Sequence, residues 1–348
     1  MKEVSTKKST SKTKKESTLE DLKKELTKDL FSTTIKTNID ILDKALGGGL
    51  EPDDMIMLVS EPGCGKTTIA LQIARIMCNQ GKNVVYVDCE GKISQNLLES
   101  IGLFSERKLN DKFIYVKKST FTDIENTLDT LIDTGQIEFV IIDSLSAIVP
   151  DEFLRNNKKK VSITTNNSMY ASKPLGLFMQ KYNGISKQKK ICFILIQQFR
   201  NKIDMRLGSI LKIAGPKACT YFPSQILKLA PIKATGTAED DEKSTSNENF
   251  KTMTKPFEIG HSLEIEIIKT NKNNANKKYP IYLVYGRGVS YVFNQIYDLM
   301  NKGIIEKDGS YYWVECEGGK LHLHGIKEVY DCIANHQEYY IKILNNKD

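Results

Sequence analysis

The stretch from Met55 to Ala74, MIMLVSEPGCGKTTIALQIA, constrains the fold more than any other. It opens on a continuous apolar run, passes through a glycine-containing turn and ends in an apolar series at helical spacing. That order describes a buried strand, a turn and a helix. Gly63 and Gly65 allow backbone conformations that a side chain forbids, so amide N–H groups can converge on phosphate oxygens. Lys66 brings a positive charge to the outer phosphates of a nucleotide, and the Thr67 hydroxyl faces a Mg2+. The helix that starts there directs its positive dipole end at the same anion. Ser60, Glu61, Pro62, Gly63, Cys64, Gly65, Lys66, Thr67 and Thr68 are therefore the expected phosphate cradle. Ser60 stands where this pattern usually has its first glycine. A chance glycine turn would need neither the strand before it nor the helix after it.

The chain has 348 residues, enough for one large domain and one or two small ones. Its 40% hydrophobic and 27% charged residues are ordinary for a globular protein. A net charge of +7 permits a polyanionic partner without requiring one. The seven cysteines are scattered, form no CxxC pair and in several cases lie inside apolar runs. That usage fits reduced, buried thiols of a cytoplasmic protein rather than disulfides or a zinc site. No apolar run approaches the ~20 residues that cross a membrane. The lysine-, serine- and threonine-rich start has no apolar segment of the kind a secretion signal carries.

Residues 1–16 are polar, basic and of low complexity, and are expected to form a disordered arm. Ser17 and Glu20 then make a capping-box pattern, with Leu19, Leu22, Leu26 and Leu30 at helical spacing. The leucine stripe fits packing on its own domain or on another subunit equally well. A triple glycine at 47–49 leads into the first core strand. From there the pattern alternates: strands at Val84–Val87, Phe139–Ile142 and Ile191–Ile196, with helices at Thr122–Thr134 and Leu175–Tyr182. Apolar runs with little alternation are those of a parallel sheet covered on both faces, with ligands at the carboxyl ends of the strands. Residues 233–256 read as an exposed loop. Leu263–Ile268 and Ile281–Tyr285 read as a strand pair around a basic, asparagine-rich turn. Beyond Gly288 a helix at Val292–Lys302, a strand pair near Tyr311–Val314 and Leu321–Leu323, and a final helix make a module of ~60 residues.

Five acidic or amide residues sit at or just beyond strand tips. Asp143 ends FVIID, where a carboxylate can hold Mg2+ opposite Thr67. Asp88 and Glu90 both follow VVYV, and either can polarise a water for attack on a γ-phosphate. Gln197 and Gln198 follow ICFILI, and either can touch that phosphate or that water. Two segments expected to be irregular flank the last strand. Pro150–Ser172 carries Arg155, Lys158, Lys159, Lys160 and Met169; Phe199–Pro216 carries Arg200, Lys202, Arg206 and Lys212 among Ile203, Met205 and Leu207. Cations there suit phosphates, and apolar side chains between them suit wedging between bases. A solvated loop with a few anchoring hydrophobes would read the same way.

Taken together, ALGGGL, SEPGCGKTT, VDCE, VIIDSLSAIVP, LIQQFRNKI, AGPKACTYFPS, VYGRGVS and KGIIEKDGSYY occur in an order and spacing that resembles the bacterial and phage RecA recombinases. The likeness runs through nearly the whole chain after residue 30. It implies an α/β fold: a RecA-like P-loop ATPase core with a mainly parallel twisted sheet, a short N-terminal helical oligomerisation segment and a small α/β C-terminal domain. The implied divisions are an arm at 1–16, an oligomerisation helix and linker at 17–36, the core at 37–288 and the small domain at 289–348. The resemblance implies that ATP and Mg2+ bind, that Glu90 activates the water and that Gln198 senses the γ-phosphate. It implies that Lys269 and Lys272 reach the ATP of a neighbouring subunit. It also makes 150–172 and 199–215, with Arg155, Met169, Arg200, Lys202, Ile203, Arg206, Lys212 and Gly215, look like the two DNA-binding loops.

The function so implied is a DNA-dependent ATPase that forms a helical filament on single-stranded DNA, pairs it with double-stranded DNA and exchanges strands. Two other classes share the core: an accessory protein that assists a recombinase, and a hexameric helicase. The intact Lys66, Glu90 and Asp143 speak against the first. The C-terminal module and the N-terminal helix speak against the second.

Overall fold

The computed structural model describes residues 34–151, 167–204, 208–232 and 260–346, together with Leu19 and Lys23. A short helix, α1 (Asp40–Ala45), precedes β1 (Met55–Ser60), and α2 (Lys66–Asn79) follows directly after the glycine turn. Then come β2 (Val84–Asp88), α3 (Gln95–Ile101), the small pair β3 (Phe104–Ser105) and β4 (Lys108–Leu109), and β5 (Phe113–Lys117). They are followed by α4 (Phe121–Asp133), β6 (Phe139–Asp143), α5 (Asn167–Lys189), β7 (Cys192–Asp204), β8 (Gly208–Ile213), α6 (Ala218–Tyr221) and β9 (Gln225–Pro231). β10 (Gly260–Lys269), β11 (Lys278–Val284) and β12 (Gly288–Val289) complete the main sheet. The last part is α7 (Tyr291–Asn301), β13 (Ile305–Asp308), β14 (Tyr311–Cys316), β15 (Gly319–His324), α8 (Gly325–Asn335) and α9 (Gln337–Asn346).

The main sheet runs β12-β11-β10-β9-β1-β7-β6-β2-β5. From β9 to β5 every pair is parallel, and β10 to β12 are antiparallel. β1 shows why its run is apolar without a break. Ile56 and Leu58 enter the core beneath α1 and α2, while Met55, Met57 and Val59 enter the core beneath α4 and α5. Alternation persists in direction but not in polarity, because both faces are dry. A fully buried side chain of this kind contributes about 1.5–3 kcal/mol relative to exposure. The strands on either side are therefore held in register, and their tips end together along one edge.

The C-terminal module has its own antiparallel sheet, β13-β14-β15. Its core, around Phe293, Val314, Val329, Ile333 and Tyr340, also takes in Tyr282 of β11 and Ile232, the residue just after β9. β13 was not expected from the sequence, and the single expected final helix is two, α8 and α9. His336 alone lies between the latter, where the polar run Asn335–His336–Gln337 interrupts the apolar spacing.

Two expectations need correction. The segment from Phe199 is not irregular: β7 continues to Asp204 and pairs antiparallel with β8, from Phe199↔Ile213 to Asp204↔Gly208. Isoleucines at 203, 210 and 213 give this stretch the β-branched character of a hairpin. The helix after the first flanking segment starts at Asn167, not near Leu175, and carries Pro174 inside it. The expected arm at 1–16, the Ser17–Leu30 helix apart from the helical Leu19 and Lys23, and the loop at 233–256 lie outside the described residues.

The landmark VYGRGVS has a packing reason. The buried Gln72 of α2 donates to Val289 O at 3.1 Å and accepts from Val289 N at 2.7 Å. Gly288 has φ +97°, and a Cβ there would come within 2.2 Å of Gln72 Oε1. The helix that starts the phosphate cradle is thus tied to the end of the sheet through one amide and one glycine. Gly288→Ala combines left-handed strain with a clash against a doubly bonded amide. It is expected to cost on the order of 1–3 kcal/mol, read as a lower midpoint in urea unfolding.

Candidate nucleotide site and its flanking hairpin

Parallel registry brings the site together. Ser60 pairs with Gln198 and with Leu229, and Asp88 pairs with Asp143. The expected residues on β1, β2, β6 and β7 thus share one edge of the sheet. The turn after β1 is held tightly: Gly65 has φ +75°, and a Cβ there would lie 2.0 Å from Leu283 Cδ2 on β11. α2 begins on this left-handed Gly65 with no side-chain cap. Amides of its first turn are the groups that a helix offers to an anion.

Lys66 lies against the loop, 8% exposed. Its ammonium donates to Ser60 O at 3.2 Å, Ser60 Oγ at 2.7 Å and Glu61 O at 3.0 Å. Burial lowers its pKa, and the nearby Cys64, Asp143 and Glu90 oppose that effect. Thr67 Oγ1 donates to Asp143 Oδ2 at 2.6 Å, and the Tyr86 hydroxyl donates to the same oxygen at 2.8 Å. Burial pushes the Asp143 carboxyl above the usual carboxylate range, while the two donations pull it back. A hydroxyl beside a carboxylate is the protein share of a magnesium–nucleotide site, the remaining ligands being phosphate and water oxygens. Among the described residues no cluster of three or more His, Cys, Asp or Glu could hold a metal by itself.

The two pairs that the sequence left open occupy different surroundings. Asp88 is 2% exposed and accepts from Gly91 N, Ile93 N and the Tyr115 hydroxyl, bracing the turn after β2. Glu90 stands on that turn and lines a cleft of about 490 Å³ with Lys92, Ser146, Gln198 and Arg200. Its Oε1 accepts from Ser144 Oγ at 3.1 Å and Gln198 Nε2 at 3.3 Å; its Oε2 lies 2.6 Å from Lys92 Nζ. Gln197 is buried and fastens the hairpin's base, donating to Ala214 O at 3.0 Å and accepting from Gln198 N at 3.0 Å.

Tyr86, Ser144 and Lys92 were not singled out in the sequence. Tyr86 reads there as one more core residue of VVYVD. Strand parity is the signal that finds it: Tyr86 pairs with Ile141 and so faces the same way as Asp143, two residues on.

The remaining expected residues lie elsewhere. Arg200 and Lys212 are exposed and pair directly across the hairpin. Lys202 and Ile203 are on β7, opposite Ile210 and Ser209, and Gly215 follows β8. Met169 is in the first turn of α5. Arg155 and Arg206 lie outside the described residues. Lys269 and Lys272 are not at this edge. Lys269 pairs with Ile226 near the start of β9, and Ile226 pairs with Met57. The chain then runs on toward the amino end of β1, away from the phosphate loop. Lys269 Nζ donates to Thr220 O at 3.0 Å and Tyr221 O at 2.6 Å, and Lys272 Nζ lies 2.7 Å from Glu51 Oε1.

A phosphate loop at the centre of a mostly parallel sheet, with two acidic strand tips and a glutamine tip beside it, defines a P-loop protein with a RecA-like core. A family model for the RecA N-terminal domain matches residues 7–290. The chain belongs to the RecA family. It is 26% identical over 307 residues to Protein RecA of Phytoplasma mali, across 86% of this chain and 83% of that protein. To Protein RecA of Lactobacillus acidophilus it is 24% identical over 284 residues, across 80% of this chain and 70% of that one. To Protein RecA of Mycoplasma mycoides subsp. mycoides it is 25% identical over 273 residues, across 78% and 71%. Among the described residues no helix is long and apolar enough to cross a membrane.

Glu90 titrates below the usual carboxylate range, chiefly through the hydrogen bond from Lys92; burial acts the other way. Lys92→Ala removes the lowering influence. The Glu90 carboxyl, followed by its 13C shift in a pH titration, is expected to move to higher pH. An unmoved midpoint would mean that Lys92 does not hold this carboxylate in solution.

Proposed function

We propose that this chain is a DNA-dependent ATPase that assembles as a helical filament on single-stranded DNA and there pairs and exchanges strands with a homologous duplex. The observation that carries the reading is the convergence of Lys66, Thr67, Asp143, Glu90 and Gln198 on one edge of the sheet in a RecA-family chain. Loop amides and Lys66 would bind the phosphates of ATP. Thr67 and Asp143 would hold Mg2+, which when bound offsets charge on the phosphate oxygens. Glu90, ionised and fixed at both oxygens, accepts the proton of the attacking water. Gln198 bonds to Glu90 from the strand that continues into the β7–β8 hairpin, so one amide joins the reacting edge to that hairpin.

The hairpin supports a nucleic-acid contact. Arg200 and Lys212 stand directly opposite each other, and like charges so placed disfavour a strand pair unless an anion lies between them. DNA phosphates are such anions. Lys269 and Lys272 lie at the far edge of the sheet from their own phosphate loop, which supports a role at a neighbour's nucleotide rather than their own. A surface that gives on one side and receives on the other repeats head to tail, as a filament does.

The decisive measurement is ATP hydrolysis by the purified chain with and without single-stranded DNA. Turnover is expected to rise at least several-fold with DNA. Glu90→Gln is expected to lower it by roughly 10²–10⁴-fold with ATP binding retained. DNA-independent turnover, or normal DNA-stimulated turnover in the variant, would refute the reading.

A further inference from the structure

Three oxygens take the protons of the Lys66 ammonium, and they are not equivalent. Ser60 O and Glu61 O belong to the backbone and would be present with any residue at position 60. Ser60 Oγ belongs to the serine alone. It is the nearest of the three to Lys66 Nζ, at 2.7 Å, and it donates its own proton to Glu61 O at 2.6 Å. Glu61 O in turn accepts from Lys66 at 3.0 Å, so the hydroxyl, the carbonyl and the ammonium form a closed triangle. Ser60 is fully buried and is the last residue of β1, in register with Gln198 on one side and Leu229 on the other. The hydroxyl is thus carried by an interior strand, paired along both sides.

An ammonium has three protons and no more. A phosphate oxygen can engage Lys66 only by replacing one of its present acceptors. Hydrogen bonds to a charged group are among the stronger ones, and they weigh more where water is excluded. A glycine at position 60, usual for this loop pattern, offers no hydroxyl and leaves two acceptors rather than three.

We propose that Ser60 is a positioning residue: its hydroxyl latches the Lys66 ammonium onto the loop and thereby weakens the grip of this loop on the outer phosphates of a nucleoside di- or triphosphate. This rests on the nucleotide-binding reading above and adds to it a residue that sets the affinity. Lysine in this motif addresses the β- and γ-phosphates, so the latch acts on ATP and ADP and not on AMP.

The test compares the full chain with Ser60→Gly and Ser60→Ala by titration calorimetry with ATP, ADP and AMP, each with Mg2+. Both variants are expected to bind ATP and ADP roughly three- to tenfold tighter, with AMP unchanged. A second readout needs no nucleotide: the rate at which acetic anhydride acetylates Lys66, located by mass spectrometry, is expected to rise several-fold in both variants. Unchanged or weaker ATP and ADP binding in variants that melt like the parent overturns the latch, as does an equal gain for AMP. Should one variant melt lower than the parent, the other decides. Should the parent bind no nucleotide at all, the functional reading falls, and the acetylation rates alone judge the latch: equal rates overturn it.

Discussion

A carboxylate is normally expensive to bury, and the site is built around one that is buried. Asp143 is 6% exposed at the tip of β6. Two hydroxyls from two other elements, Thr67 on α2 and Tyr86 on β2, donate to one of its oxygens. Burial favours its protonated form, and those donations favour the charged one. The same contacts fix the first turn of α2 against β2 and β6. Electrostatics and geometry are therefore one arrangement: the hydroxyls that counter the effect of burial on Asp143 also tie the start of α2, and β2, to its strand tip.

Around that centre, similar residues divide structural and chemical work. Asp88 and Glu90 are two residues apart, yet Asp88 spends its oxygens on Gly91 N, Ile93 N and Tyr115 and so shapes the turn that holds Glu90 out in the cleft. Gln197 and Gln198 are adjacent, yet strand parity sends one into the core beside Ala214 and the other toward Glu90. In each pair the buried member is rigid because its hydrogen-bonding capacity is used internally. The other member faces the cleft with its orientation already set.

Much of this was legible in the sequence because it follows from local rules. Unbroken apolar runs gave four of the parallel strands, β1, β2, β6 and β7, and the polar residues after each marked a tip: Ser60, Asp88 or Glu90, Asp143, and Gln197 or Gln198. β5 and β9, with polar residues inside or beside shorter apolar runs, were not read as strands. Four kinds of information were not legible. Strand order, which seats β1 between β7 and β9 and puts Leu283 against Gly65, depends on contacts far apart in the chain. The hairpin at 199–213 looked irregular because its cations break the apolar pattern, although its β-branched residues favour strands. Tyr86 looked like core because an aromatic ring in an apolar strand is core in all but its hydroxyl. The division of labour between Asp88 and Glu90 depends on which amides come within reach of each carboxylate, and spacing does not contain that.

Four lysines, Lys66, Lys92, Lys269 and Lys272, have a common property: each has acceptors within its own chain. Lys66 is answered by Ser60 and Glu61, Lys92 by Glu90 and, at the other edge, Lys272 by Glu51 and Lys269 by the carbonyls of Thr220 and Tyr221. An incoming phosphate therefore competes with existing partners rather than meeting bare charge. Its net gain is a difference between two sets of charge-assisted bonds, not the full strength of either. Small changes in the internal set then shift affinity as effectively as changes in the contacts to the ligand. Lys92 lies on an open surface, where solvent weakens its hold on Glu90, whereas Lys66 is buried and keeps its contacts at full strength. Competition of this kind is consequently sharpest at the phosphate loop and mildest at the base, so the same loop oxygens that steady the lysine also set how tightly it can hold anything else.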